Sequence, residues 1–261
     1  MTGKGIVDMR ENKIRTIWAE GGSVLSGWVA MPTSLGAEIM ANQGFDAVVV
    51  DTQHGMVGFQ ASAEMLQAIS TTSTVPLARA EWNHPPAIMK LLDAGAYGII
   101  CPMVNNRAQC EAFVGACRDA PQGYRSFGPA RGTLYGGDDY FENANETLVT
   151  LAMIETSEAV QKLDEITTVK GLDAIFIGPG DLAISLGCAP SMEPTEKVVV
   201  DAIDAILAAA EKNGVIAGVY CAAGAVAKRW FARGFRFVAI GSDTRFLATA
   251  AQAEIKAARG G

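Results

Sequence analysis

The chain has 261 residues, 49% of them hydrophobic, and a formal net charge of -7. That is enough apolar material for one large core, and too little clustered Lys and Arg for a nucleic-acid surface, so a small metabolite is the expected partner. The opening residues 1–10 hold no apolar stretch of signal-sequence type and no later run reaches membrane-spanning length, so no membrane contact and a cytoplasmic location are expected.

In chain order, residues 8–20 carry a helical pattern that is expected to precede the first strand and plug a barrel bottom. Short apolar runs, mostly β-branched, follow at 24–30, 47–50, 75–80, 98–100, 150–154, 174–177, 216–219 and 237–240. Near-continuous apolar runs mark strands covered on both faces, and the intervening segments, such as 62–69, show helical spacing. Repeated strand-helix units imply a parallel sheet, and the length suits a single α/β domain, a (β/α)8 (TIM) barrel over 1–261. Helices at 196–213 and 224–233 are each followed by a glycine, Gly214 and Gly234, as helix C-termini commonly are. The connection from 122 to about 145 is long and rich in Gly, Asp and aromatic residues. In compact domains such connections serve as lids or binding loops, and that role is expected here.

A parallel barrel gathers its strand C-termini on one rim, so residues just beyond the apolar runs should meet. Asp51, Glu155 and Asp181 stand there, with His54 and Arg79 at equivalent places. Glu155 and Asp181 follow neighbouring strands, and two carboxylates with open positions suit one hard divalent cation, Mg2+ or Mn2+, with Co2+ as a further candidate. Helix capping or ion pairing is the competing role for either acid alone. Gly178, Pro179 and Gly180 beside Asp181 permit close backbone approach and open a helix whose amides suit an anionic substrate group. The same triplet also describes an ordinary tight turn.

Asp51 hydrogen-bonded to one imidazole nitrogen of His54 would make that histidine a general acid and base. The chain has two histidines, and His84 lies in a turn preceding a helix. Arg79 offers a permanent cation for a developing oxyanion, against the alternative of a rim ion pair with Glu81. The five cysteines are odd in number and lack C-x-x-C spacing, which suggests neither a disulfide framework nor a zinc cluster. Cys101 and Cys221 fall at strand ends, where they could face the site, and packing is the favoured role. Lys90, Lys162, Lys197, Lys212, Lys228 and Lys256 fall in helical patterns and Lys170 precedes a strand, so no amine sits where a Schiff-base aldolase needs one.

The segments GFDAVVVDTQHG (44–55), ARAEWN (78–83), LDAGAYGIICP (92–102), GYRS (123–126), IET (154–156) and IGPGDL (177–182) resemble the class II metal-dependent pyruvate aldolase family. That family includes 4-hydroxy-2-oxoheptanedioate aldolase, 2-keto-3-deoxy sugar-acid aldolases and macrophomate synthase, and the likeness runs over nearly the whole chain. It implies that Glu155 and Asp181 bind the metal, that a 2-keto acid chelates it, that Arg79 stabilises the enolate and that His54, supported by Asp51, moves the proton. The implied reaction joins or cleaves a pyruvate-type nucleophile and an aldehyde. The resemblance further implies a homo-hexamer, a trimer of dimers, in which the C-terminal helix at 244–258 exchanges between subunits. Gln53 and Met153 stand where many relatives carry Glu and Gln. Gln53 brings the chain closer to macrophomate synthase, and the resemblance makes hydroxypyruvate as nucleophile and oxaloacetate decarboxylation further expectations, since both pass through a metal-bound enolate. Two readings compete: an acyl-CoA lyase of the citrate-lyase-like type, with Arg125 and Arg131 as its basic approach, and a non-catalytic keto-acid-binding barrel.

Overall fold

The structure is a computed structural model that describes residues 8–260; the opening residues 1–7, within the stretch where no signal sequence is expected, lie outside it. The strands are β1 (Val24–Val29), β2 (Ala47–Asp51), β3 (Val75–Arg79), β4 (Gly98–Cys101), β5 (Val149–Ile154), β6 (Ala174–Ile177), β7 (Ile216–Cys221) and β8 (Phe237–Ile240). They pair in parallel in chain order, and β8 closes onto β1 to complete the barrel. The helices are α1 (Lys13–Ala19), α2 (Ser34–Ala41), α3 (Phe59–Ile69), α4 (Pro85–Asp93), α5 (Arg107–Ala116), α6 (Ala130–Gly136), α7 (Tyr140–Thr147), α8 (Ser157–Gln161), α9 (Leu163–Thr167), α10 (Pro179–Ser185), α11 (Lys197–Asn213), α12 (Gly224–Ala232) and α13 (Asp243–Arg259). Each expected apolar run is a strand, with ends shifted by at most two residues. β2, β3, β5 and β6 are buried throughout, because one face fills the interior and the other lies under helices. No helix among the described residues is long and apolar enough to cross a membrane.

An aromatic column fills the barrel. Trp28 of β1 stacks on Phe176 of β6 at 5.9 Å between centroids, and Phe176 meets Phe237 of β8 edge-on at 5.9 Å. Neither pair joins neighbouring strands, so both contacts cross the interior. Phe237 in turn meets Trp18 of α1 at 6.3 Å, which carries the column down to the N-terminal end of the strands.

As expected, α1 covers that end. Asn12 caps it through Oδ1, which accepts from the Ile14 N–H, while Nδ2 donates to the carbonyls of Tyr97 (3.0 Å) and Thr147 (2.8 Å) at the entrances to β4 and β5. The Trp18 indole N–H donates to the Arg236 carbonyl just before β8. One helix is thereby tied to three strand entrances.

The 122–145 connection is not a lid. It runs from the end of α5 to the start of β5, which in a parallel barrel lies opposite the strand C-termini, and it folds into α6 and α7. Arg125 pairs with Asp93 at 2.8 Å and donates to the Tyr140 hydroxyl, and Arg131 donates to the Ala94 carbonyl and the Ser70 hydroxyl. Its length and polarity reflect a brace across the helix C-termini.

α13 spans more than its expected range, and from Thr244 to Gly260 every residue is exposed, Leu247 and Ile255 included. Replacing the Asn12 carboxamide should unfasten the plug without touching the rim. Asn12→Ala is expected to cost about 2 kcal/mol and lower the melting temperature by about 5 °C, with kcat unchanged, as read by calorimetry and a turnover assay.

Candidate active site

The register of β2 and β3 places Asp51 opposite Arg79. Parallel partners share a face, so an inward carboxylate meets an inward guanidinium. Arg79 Nε donates to Asp51 Oδ1 at 2.9 Å and Nη2 to Oδ2 at 2.6 Å, a bidentate pair that fixes the guanidinium plane. The Arg79 Cζ also lies 5.0 Å from the Trp28 ring centroid, at the top of the aromatic column. Burial alone would raise the Asp51 carboxyl. The hydrogen bond and charge of Arg79, helped by Trp28 and the His54 backbone N–H, outweigh it and hold the group below its ordinary value.

This pairing corrects one expectation and redirects one alternative. Asp51 does not orient the His54 imidazole; it accepts from the backbone N–H groups of Gln53 (3.1 Å) and His54 (3.3 Å) instead. A buried carboxylate on a strand takes the guanidinium beside it, whereas the exposed His54 side chain stands beyond the strand end. Arg79 likewise pairs with Asp51 and not with Glu81, which is exposed.

Glu155 directly follows β5 and is 2% exposed. It is not a helix cap: Thr156 caps α8, accepting from the Ala159 N–H. The Met103 N–H donates to Glu155 Oε1 at 2.8 Å, from a backbone with φ of 54°. A non-glycine residue there costs about 1–3 kcal/mol, and such strain gathers at functional sites. On the other side, a Cβ on Gly178 would stand 2.5 Å from Glu155 Oε2, so only glycine lets the carboxylate lie there. Burial, with Asp181 adding to it, pushes the Glu155 carboxyl up to about 7 against the opposing pull of the Met103 N–H and Arg79.

Asp181 sits in the first turn of α10, after the extended Gly178 and after Pro179 at the helix start. A buried carboxylate with one backbone donor, beside a second carboxylate, has the charge imbalance that a hard cation relieves. The donors are all oxygen, as Mg2+ or Mn2+ prefer. Among the described residues no group of three or more His, Cys, Asp or Glu could hold a metal, so any ion here would take its remaining ligands from water and substrate. The residues present fit the group.

A cavity of about 290 Å3 opens over these side chains at the strand C-termini. Asp51, His54, Arg79, Gly178, Pro179, Gly180 and Asp181 all line it, while Glu155 lies behind Gly178. Trp28, Phe176 and Tyr220 of the strands and Met192 of the segment before α11 also line the wall; the three strand residues were not legible as site residues, since such side chains in strands read simply as core. Asp243 was missed: it opens α13 shortly beyond β8, whereas Asp51 is the last residue of β2. Its buried carboxylate accepts from the Ala30 (2.9 Å) and Met31 (3.0 Å) N–H groups and fastens the start of α13 to the end of β1. Burial raises both strand-end thiols, Cys101 well above the ordinary value and Cys221 to about 11, in keeping with packing. His84 is the N-cap residue of α4.

Residues 26–250 match the description HpcH/HpaI aldolase/citrate lyase. The chain belongs to this family. One relative, the hydroxypyruvate/pyruvate aldolase of Rhizorhabdus wittichii, is 46% identical over 248 residues, covering 95% of this chain and 99% of its own. The 4-hydroxy-2-oxo-heptane-1,7-dioate aldolase of Escherichia coli (strain ATCC 8739) is 35% identical over 246 residues, 93% of each chain. Among solved structures, the citrate synthase SbnG superposes with a TM-score of 0.85 at 29% identity, covering 94% of this chain and 97% of its own.

The Asp51–Arg79 pair sets a pH dependence whose sign follows from the lowered carboxyl. Its stabilisation is present above the ordinary carboxylate value of 3.8 and is lost as pH falls through the still lower folded value. Denaturant unfolding should therefore show Asp51→Asn less stable than the parent at neutral pH, with the gap closing in acid.

Proposed function

We propose that this family member is a divalent-metal-dependent aldolase, a carbon-carbon lyase that cleaves 4-hydroxy-2-keto acids to a pyruvate-type product and an aldehyde, and runs the reverse condensation. The observation that carries the reading is the buried Glu155, whose charged neighbours are Asp181 and Arg79, the two of these groups that line the rim cavity. Held by those two carboxylates, Mg2+, Mn2+ or Co2+ would supply the Lewis acidity that polarises the keto group.

The chain's own groups divide the remaining work. Arg79 spends Nε and Nη2 on Asp51, which leaves Nη1 to donate to the keto oxygen as negative charge develops there. Asp51 is thus a positioning residue for Arg79. The start of α10 at Gly178, Pro179 and Gly180 receives the substrate carboxylate. In cleavage, His54 takes the proton from the C4 hydroxyl, the C3–C4 bond breaks as the aldehyde carbonyl forms, and the electron pair passes to the C2 enolate. Protonation at C3 then yields the pyruvate-type product. Pyruvate and hydroxypyruvate, which the Rhizorhabdus wittichii relative's name gives together, are the proposed nucleophiles. Oxaloacetate decarboxylation passes through the same enolate and belongs to the proposal.

The acyl-CoA reading loses its basic approach, because Arg125 and Arg131 are engaged at the opposite end of the barrel. The proposal further takes the chain as one cytoplasmic domain that assembles as a homo-hexamer. Support for exchange of α13 between subunits lies in its exposure: a long helix carrying Leu247 and Ile255 to solvent suits a second subunit.

Metal-dependent deuterium uptake at the pyruvate methyl group should separate enolisation from mere binding; intact pyruvate binding without exchange would support a non-catalytic barrel. Glu155→Gln and Asp181→Asn should each abolish metal-dependent exchange and turnover, as should a chelator. Arg79→Ala is expected to lower kcat by about 10²–10³ with the metal still bound, and near-normal turnover would remove its oxyanion role. His54→Ala should slow proton transfer more than it raises the KM for pyruvate.

A further inference from the structure

We propose that the N-terminal end of the barrel carries a second binding site, for a small multivalent oxyanion. It lies in a cavity of about 670 Å3 between α1, the chain leaving α5, α7 and the turn before β6. Asp173 and Asp181 stand at opposite ends of β6, whose four residues span about 13 Å at a strand's rise per residue. The cavity is therefore separate from the rim.

Three cations, Arg15, Arg118 and Lys170, gather on its wall in a chain whose net charge is -7. Asp173, the acid between them, is already fully used. It pairs with Arg15 Nη2 and with Arg118 Nη2, each at 3.0 Å, and accepts from the Thr150 N–H (2.8 Å) and hydroxyl (3.1 Å). Arg118 is the decisive residue. Its side chain is 4% exposed, Nη2 is spent on Asp173 and the Gly171 carbonyl, and Nη1 is buried with no hydrogen-bond partner. A guanidinium cannot shed its charge, so a buried N–H of this kind calls for an acceptor.

Lys170 is exposed beside it and takes no part in the ion pairs found among the described residues. The exposed amide of Gln122 adds a further donor to the wall. Glu146, the other acid on the lining, is exposed, and Asn145 is spent on the backbone of Asp119. An under-used guanidinium on the cavity wall beside an exposed ammonium matches two oxygens of one anion, either a polycarboxylate or a phosphorylated metabolite.

Isothermal titration of the full chain tests this, with Mg2+ and saturating pyruvate present to fill the catalytic cavity. Succinate and inorganic phosphate are the probes, in separate arms. Saturable binding of either supports the site, and the tighter arm tells a polycarboxylate from a phosphorylated ligand. Lys170→Ala should raise the Kd about tenfold. Arg118→Lys, which keeps the charge facing Asp173 and removes the unpaired N–H, should do the same without lowering the melting temperature. No binding in either arm, binding that both substitutions leave unchanged, or binding that pyruvate competes away would overturn the proposal. None of these readouts requires turnover, so the outcome is independent of the aldolase reading.

Discussion

Charge balance at the barrel rim governs the rest of this molecule. Two of the carboxylates buried at the strand C-termini, Asp51 and Glu155, meet different fates. Asp51 finds Arg79 across the β2–β3 register, and the resulting fork locks a guanidinium onto the Trp28 face. Glu155 finds a backbone N–H and a second acid, and burial pushes its carboxyl up, with Asp181 adding to the shift. Each arrangement costs folding free energy if left alone, since burying charge in a low-dielectric interior is unfavourable without a partner. The proposed divalent ion offsets the second cost, and the arginine left with one free nitrogen faces the place where substrate charge would develop.

The scaffold supports that arrangement with a packed interior and a braced N-terminal end. The aromatic column through Trp18, Phe237, Phe176 and Trp28 fills the interior, and Asn12, Arg125 and Arg131 brace the N-terminal end with hydrogen bonds to strand entrances and helix ends. Strain is then local and small in extent. Met103 holds a positive φ so that its N–H reaches Glu155, and Gly178 gives up a side chain so that the same carboxylate can fit. Polar groups placed on such a frame are held without reorganisation when charge develops, which is where most electrostatic catalysis originates.

Asp243 links the site to the proposed quaternary structure. Its carboxylate grips two backbone N–H groups at the end of β1, so the first turn of α13 is fixed to the rim while the remainder projects into solvent. A helix anchored at one end and uncovered along its length delivers its apolar residues to whatever subunit lies beside it. The proposed exchange thus begins a few residues from the cavity wall at Ser242.

The sequence by itself determined the barrel. Eight apolar, β-branched runs alternating with helical spacing leave few other ways to bury both faces of every strand, and the strand-end acids, Arg79 and His54 follow from that topology. What each polar group touches was decided only in three dimensions. Asp51 turned to Arg79 because register, which the apolar pattern leaves undefined to within a residue, put them side by side. The Met103 amide and the aromatic wall were invisible because a backbone N–H carries no residue type and apolar strand residues look alike whether they face core or cavity. The 122–145 segment read as a lid because length and polarity are shared by lids and braces. Only chain direction through the closed barrel shows which end of the strands a connection must occupy.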